Sequence, residues 1–315
     1  MVKKALIVGH TGQDGFYLNE ILIREGYTVC GISSQSIAIS EEFNLDFGDL
    51  SDYNYCVELI SKFKPDQLYY LAAKHQSSIE TNHDDLTFYK DTLRINAENY
   101  LNLLNAIVSI GIDTHCFYAS SSHVFAGIES VNQNELTPLK PISIYGVSKI
   151  LGMHFSDLFI QKGLNCSVGI LYNHESPRRS SKFVSKKIVE AAVAIKYGKQ
   201  NELILGDLSA TIDWGYAPDY MQAAFIINQS NSTGQYIISS GKLHTVQDFV
   251  ESVFNLLELD WKDYVKVNSS IIQKKSTTIL FGDNSKLYKD FGWSPSTNFN
   301  NMIQILVNDE LNKYK

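Results

Sequence analysis

Tyr145 and Lys149 stand four residues apart in Tyr145-Gly146-Val147-Ser148-Lys149, which places a phenol and an ammonium on one face of a helix. An ammonium beside a phenol lowers its pKa and makes it a base for a hydroxyl proton. Upstream, Ser120-Ser121-Ser122 closes an apolar run and offers hydroxyls to the same substrate oxygen. A second constellation lies near the start, where Gly9-His10-Thr11-Gly12-Gln13-Asp14-Gly15 follows Ala5-Leu6-Ile7-Val8 directly. Glycines at its first, fourth and seventh positions allow a tight turn and leave backbone N–H groups at a helix N-terminus for a pyrophosphate. The spacing is GxxGxxG rather than the commoner GxGxxG. A glycine turn, a serine and a Tyr/Lys pair together point to an oxidoreductase that moves a hydroxyl proton beside a bound nicotinamide dinucleotide.

Such groups need a sheet to position them. Ala5–Val8, Thr28–Ile32, Gln67–Leu71, Cys116–Ala119 and Cys166–Leu171 read as buried strands separated by helical stretches. The first helix reads as Phe16 to Glu25, stopped by Gly26. This rhythm predicts an α/β fold: a Rossmann doubly wound parallel sheet with a smaller mixed α/β C-terminal lobe. The expected division gives residues 1–172, with about 213–240, to cofactor binding. Residues 173–212 and 241–315, ending in an amphipathic helix near Asn300 to Lys313, form the substrate lobe. No repeat or low-complexity segment appears.

Among the 315 residues, 44% hydrophobic and 19% charged describe a globular chain with a sizeable core. A net charge of −7 and the lack of a Lys/Arg block exclude a general nucleic-acid binder. Cys30, Cys56, Cys116 and Cys166 are scattered and read as reduced, buried thiols, with no metal site expected. No apolar run approaches a membrane span and the start carries no signal-like core, so a cytoplasmic enzyme without membrane contact is the expectation. After the second strand, Ser33-Ser34-Gln35 supplies neither an acid for a ribose 2′-hydroxyl nor an Arg for a 2′-phosphate, and the lack of a cation favours NAD. Asp49, in Gly48-Asp49-Leu50, either holds the adenine edge or caps the following helix.

The chain resembles the extended short-chain dehydrogenase/reductases, in particular the GDP-mannose 4,6-dehydratases. Gly9–Gly15 resembles that family's GxTGQDG, Asn173-His174-Glu175-Ser176-Pro177-Arg178-Arg179 its NHESPRR, and Phe183-Val184-Ser185-Lys186-Lys187-Ile188 its FVTRKI. Leu205-Gly206-Asp207-Leu208, Asp213-Trp214-Gly215-Tyr216-Ala217 and Phe291-Gly292-Trp293-Ser294-Pro295 extend the likeness almost to the C-terminus. The resemblance implies hydride transfer from C4 of a GDP-sugar to the cofactor while Tyr145, supported by Lys149 and Ser121, takes the hydroxyl proton. In the dehydratases a Glu then removes the C5 proton, water leaves from C6 and the hydride returns there. By position, Gly9, Thr11, Gly12, Gln13, Asp14, Gly15, Ser33, Asp49, Leu50, Leu71, Ala72, Ala73, Tyr145, Lys149, Tyr172 and His174 would line the cofactor. Ser121, Ser122, Asn173, Arg179, Val184 and Lys187 would meet the nucleotide-sugar.

The pattern breaks where the chemistry is most demanding. The family's TSE reads Ser121-Ser122-His123, which keeps a hydroxyl and replaces the carboxylate by an imidazole. Its QSHV becomes Lys74-His75-Gln76-Ser77, implying an altered sugar pocket. An arginine expected on the phosphates gives way to Ile212, and its RPxE aligns with Gln273-Lys274-Lys275-Ser276, where Lys274 or Lys275 could replace it as a point charge. The expected activity is therefore oxidation of C4 without dehydration, with His123 in the catalytic set and NADH recycled by a 2-keto acid. That points to a GDP-manno-heptose 4-dehydrogenase branch. The competing readings are a 4,6-dehydratase with an atypical acid/base residue, a C4 epimerase, and a degenerate nucleotide-sugar binder. A homodimer is expected.

Overall fold

The computed structural model describes residues 2–39, 41–75, 86–129, 132–268, 270 and 279–315. The chain begins with β1 (Lys4–Val8), α1 (Gln13–Arg24), β2 (Thr28–Ile32), β3 (Ile37–Ala38), α2 (Tyr53–Phe63) and β4 (Gln67–Tyr70). It continues through α3 (Leu86–Leu93), α4 (Asn99–Ile110), β5 (His115–Ser121), α5 (Ile144–Gln161) and β6 (Cys166–Leu171). Local chemistry sets several of these boundaries. Asp52 caps α2 by accepting from Asn54 N, and Ser143 caps α5 by accepting from Gly146 N. Gly111, at φ 72°, ends α4. The first helix starts at Gln13, three residues before the sequence expectation, because Gly12 serves as its N-cap.

The second half supplies β7 (Asn173–Glu175), α6 (Val184–Lys196), β8 (Leu203–Leu205), β9 (Thr211–Tyr216), α7 (Ala217–Gln229) and β10 (Gly234–Ile238). Then come β11 (Leu243–Thr245), α8 (Val246–Leu256), β12 (Val265–Val267), α9 (Ser285–Phe291) and α10 (Phe299–Asn312). A Thr245/Asp248 capping box opens α8, and Asn298 caps α10.

The main sheet runs β10-β6-β5-β4-β1-β2-β3, parallel except for the short β2–β3 pair. Strand order reverses at β1, whose neighbours are β2 and β4, so the crevice beyond their C-terminal ends is the expected ligand site of a doubly wound sheet. Burial on both faces explains the continuous apolar runs in these strands. Two hydrophobic cores result. The larger lies around the main sheet and takes in Met221 and Phe225 of α7 and Ile237 of β10. The smaller joins α6, β8, Trp214 of β9, α8 and α10. β9 pairs with β7 and β11 in a separate three-stranded sheet, which connects the cores. All four cysteines are free and buried. Among the described residues no helix is long and apolar enough to cross a membrane.

Candidate active site

The glycine turn is shaped by close approach. Gly9 has φ +96°, and a Cβ there would meet Ala72 N at 2.8 Å. A Cβ on Gly15 would lie 2.3 Å from Gly9 O, so only glycine lets α1 dock on the turn. Gly12 differs: its Cβ would meet nothing nearer than Gly9 O at 3.3 Å, and no side chain caps α1 there. The N-terminus of α1 thus turns bare backbone N–H groups to the cleft, an arrangement that fits a dinucleotide pyrophosphate.

The polar side chains of the turn tie it to the segment after β6. Gln13 Nε2 donates to His174 O (3.1 Å), and its Oε1 accepts from Ser176 Oγ (2.8 Å). His174 Nε2 lies 3.0 Å from Asp14 Oδ1, and its Nδ1 lies 2.6 Å from Tyr172 O. Both partners are acceptors, so both ring nitrogens must carry protons, and His174 is an imidazolium. Burial alone would lower its pKa; the Asp14 charge and hydrogen bond more than offset this and raise it. Burial likewise opposes the Asp14 carboxylate, yet the His174 charge holds its pKa below the ordinary value.

The remaining cofactor candidates divide. Leu71, Ala72 and Ala73 follow β4 beside the turn, and Ala73 lines the cleft. Ser33 sits next to the turn, but its hydroxyl accepts from Ser36 N and lies 2.8 Å from Ser36 Oγ. Asp49 accepts from Ser51 N, and the cap of α2 is Asp52, which removes the capping alternative for Asp49. Leu50 is buried.

Tyr145 and Lys149 enter from α5. Lys149 Nζ donates to Ala119 O (2.8 Å) and stands 5.7 Å from the Tyr145 ring centroid. Ser121 stands close enough to the Tyr145 hydroxyl to favour its charged form. Burial pushes the Lys149 pKa down to about 7, only partly offset by Asp14. Burial also pushes Tyr145 up to about 12, against the nearby Ser121 and the Arg179 charge. The lowered phenol pKa expected from the Tyr/Lys spacing is therefore not met, because burial penalises both charged forms more than their proximity helps. Ser122, next to Ser121, is buried. His123 follows in a 3₁₀ turn that Ser121 caps, its ring centroid 5.6 Å from that of Tyr145 and its pKa lowered by burial.

Across the cleft, Arg179 pairs with Glu175 (Nε–Oε2 3.2 Å) and lies 3.5 Å above the Phe183 ring. Arg178 stacks 3.9 Å over Phe16. These arginines, Thr11, Gly12, Phe183 and Lys313 line a cleft of about 720 Å³. Asn173 begins β7, and Val184 begins α6 directly after Phe183. Lys187 is not brought to this cleft: its Nζ donates to Ile204 O (2.9 Å), and it lines a separate depression with Glu190 and Glu202. Gln76, Ser77, Lys274 and Lys275 lie outside the described residues.

Two contributors, Lys313 and Asn96, escape the sequence reading, and a third, His75, stands there only as part of an altered sugar-pocket segment. Lys313, near the C-terminus, reaches the cleft mouth. His75 packs on Tyr145 at 4.6 Å between ring centroids. Asn96 lies in a π-helical turn, Arg94–Glu98, of the type that recurs at functional sites. Its side chain accepts from Lys74 N (2.7 Å) and donates to Ser148 Oγ (2.9 Å). An asparagine inside a helix carries no sequence signal for such a clamp.

Comparison with known proteins places these features. The family model described as GDP-mannose 4,6 dehydratase matches residues 6–306. GDP-mannose 4,6 dehydratase 2 of Arabidopsis thaliana is 34% identical, covering 98% of this chain and 87% of the relative. GDP-mannose 4,6-dehydratase of Sinorhizobium fredii is 31% identical, covering 98% and 97%. Among solved structures, RMD from Pseudomonas aeruginosa complexed with NADPH superposes with TM-score 0.82 at 19% identity, covering 99% of this chain and 100% of that one. The Thermus thermophilus UDP-glucose 4-epimerase complex with NAD gives 0.80 at 22%, covering 98% of each chain. At those identities the structural likeness establishes the extended short-chain dehydrogenase/reductase fold.

Proposed function

The chain belongs to the GDP-mannose 4,6-dehydratase family, and from that premise we propose that it oxidises C4 of a GDP-linked sugar. The observation that carries this reading is the convergence of Ser121, Tyr145 and Lys149 opposite the bare N-terminus of α1. Tyr145 takes the C4 hydroxyl proton, Ser121 orients the oxygen, and Arg179 with the backbone around Asn173 faces the diphosphate. The Gly9–Gly15 turn and the N-terminus of α1 would hold NAD, which would supply a hydride acceptor for C4 and a hydride source for C6. The second-strand end offers no cation for a 2′-phosphate, which supports NAD over NADP.

The names of the relatives favour 4,6-dehydration over the non-dehydrating oxidation expected from sequence, and dehydration takes first place here. His123 then supplies an imidazole for the acid–base work of water loss. A second reading, oxidation that stops at the 4-keto sugar with a 2-keto acid as final oxidant, keeps one specific observation: the side chain at position 123 is an imidazole whose protonation burial opposes. Incubation with GDP-mannose or GDP-manno-heptose in deuterated water separates the two. Loss of one water, deuterium at C5 and no net NADH support dehydration. Loss of two hydrogens with NADH accumulating supports the second reading. Exposed Val147, Leu151 and Leu158 on α5 support a homodimer, which sedimentation tests.

A further inference from the structure

Tyr145 can serve a second turnover only if it passes on the proton it has taken. That requirement holds whether the C4 oxidation stops at the ketone or proceeds to water loss. In the first case the proton is a net product; in the second, the balance of atoms sends it to the departing C6 hydroxide. The groups around the phenol decide where it goes. On one side stands Lys149, buried, its Nζ donated to Ala119 O and packed over Tyr118, whose hydroxyl donates to Asn96 O. On the other stand two imidazoles, contributed by different strand ends. The His75 ring centroid is 4.6 Å from that of Tyr145 and 5.6 Å from that of His123, and His123 is 5.6 Å from Tyr145. Phe183 closes the outer side of His75 at 5.7 Å and carries Arg179 on its face.

The placement of His75 is held by the main chain before it. Asn96 accepts from Lys74 N and donates to Lys74 O (3.2 Å) and to Ser148 Oγ, so the residue ahead of His75 is fastened to the helix that bears Tyr145. Lys74 Nζ is in turn held by Asp91 (2.6 Å). A loop residue clamped in this way keeps its ring against the phenol. His75 is also only partly buried, and it packs on Phe183, which lines the cleft.

We propose that His75 is a proton-transfer residue of this site, taking from Tyr145 the proton that the phenol exchanges for that of the sugar hydroxyl. The step balances: the C4 O–H and C4–H bonds break, C4=O forms, the hydride pair goes to the cofactor, and the sugar proton goes to Tyr145. The Tyr145 proton goes to His75. From the imidazolium it passes to solvent when oxidation stops, or by way of His123 to the C6 oxygen when water leaves. Imidazole suits the task because its ordinary pKa lies near neutrality. This inference rests on the C4-oxidation reading and is indifferent to which product forms.

The test is His75→Ala and His75→Asn in the full-length, cofactor-loaded protein, with GDP-sugar turnover, KM, GDP affinity and melting temperature measured together. His75→Ala is expected to lose about a hundred-fold in kcat, within the usual range for a positioned acid–base group. KM and GDP affinity stay close to wild type, added imidazole restores much of the rate to His75→Ala, and a solvent deuterium isotope effect grows. A rate near wild type, or a loss that imidazole leaves unrestored and that Asn recovers, overturns the relay. A wild type that transforms no GDP-sugar takes down the underlying reading instead, an outcome visible before any variant is made.

Discussion

Around the glycine turn, Gln13, Asp14, His174 and Ser176 spend their side chains on one another through directed hydrogen bonds, leaving the backbone to face the ligand. Around Tyr145, the wall is made of rings in contact: His75, His123 and Phe183. The first region suits a ligand that never changes, since a pyrophosphate asks for fixed donors. The second suits a group whose protonation and bonding change during turnover. Directed bonds fix one geometry, whereas ring contacts hold groups near one another without committing their protons.

The sharpest way to break this contrast is at the phenol. Tyr145→Phe keeps the ring contacts and removes the proton carrier, so cofactor reduction should fall at least about a hundred-fold while dinucleotide binding persists. Absorbance of the reduced cofactor and a dinucleotide titration read the two effects separately. If binding falls with the rate, the phenol belongs to the fixed region as well.

On the other side, Gly15→Ala drives a Cβ to 2.3 Å from Gly9 O, and the turn must shift. A destabilisation of about 1–3 kcal/mol and loss of retained cofactor are expected, read by melting with and without NAD. Gly12→Ala, whose Cβ meets only Gly9 O at 3.3 Å, should fold nearly as well yet bind less cofactor. Equal stability losses in the two variants would remove the distinction between a packing glycine and a ligand-facing one.

The Asp14–His174 tie makes the fixed region sensitive to pH. The folded pKa of His174 is raised, so its contribution is complete below the ordinary 6.5 and is lost as pH rises through the folded value. That of Asp14 is lowered, so its contribution is complete above the ordinary 3.8 and is lost as pH falls through the folded value. Asp14→Asn should cost about 1–3 kcal/mol near pH 5–6 and less at higher pH. It should also bring the His174 titration, followed by NMR, down from its raised position. An unchanged His174 titration would show that Tyr172 O alone holds the second proton.

These regions were unequally legible in the sequence. The turn, the strands and the Tyr145/Lys149 pair announce themselves, because glycine spacing, buried apolar runs and helical periodicity are local. His123 stands out as a departure from a familiar motif. Nothing local reveals Asn96 or Lys313, which reach the site only through the fold, or the pKa of Tyr145, which depends on how deeply the phenol is covered. The expectation about His174 was incomplete for the same reason. Its position in the motif is clear, but its partner Asp14 lies 160 residues away.

The smallest effect expected is at Lys187, the one substrate candidate that the fold carries elsewhere. Its Nζ is held by Ile204 O at the edge of a depression lined by Glu190 and Glu202, apart from the cleft that contains Thr11, Arg179 and Phe183. A half-buried lysine whose ammonium donates to one carbonyl at the surface contributes within about 0.5 kcal/mol of stability. Lys187→Ala should accordingly leave melting, cofactor binding and kcat almost unchanged. KM for the GDP-sugar is the informative quantity. Held constant, it leaves recognition to the arginine-bearing segment and the turn, which are already ordered by hydrogen bonds. Raised tenfold, it would mean that Lys187 swings from Ile204 O to the nucleotide, and that the substrate lobe, unlike the turn, completes its site only when the ligand arrives.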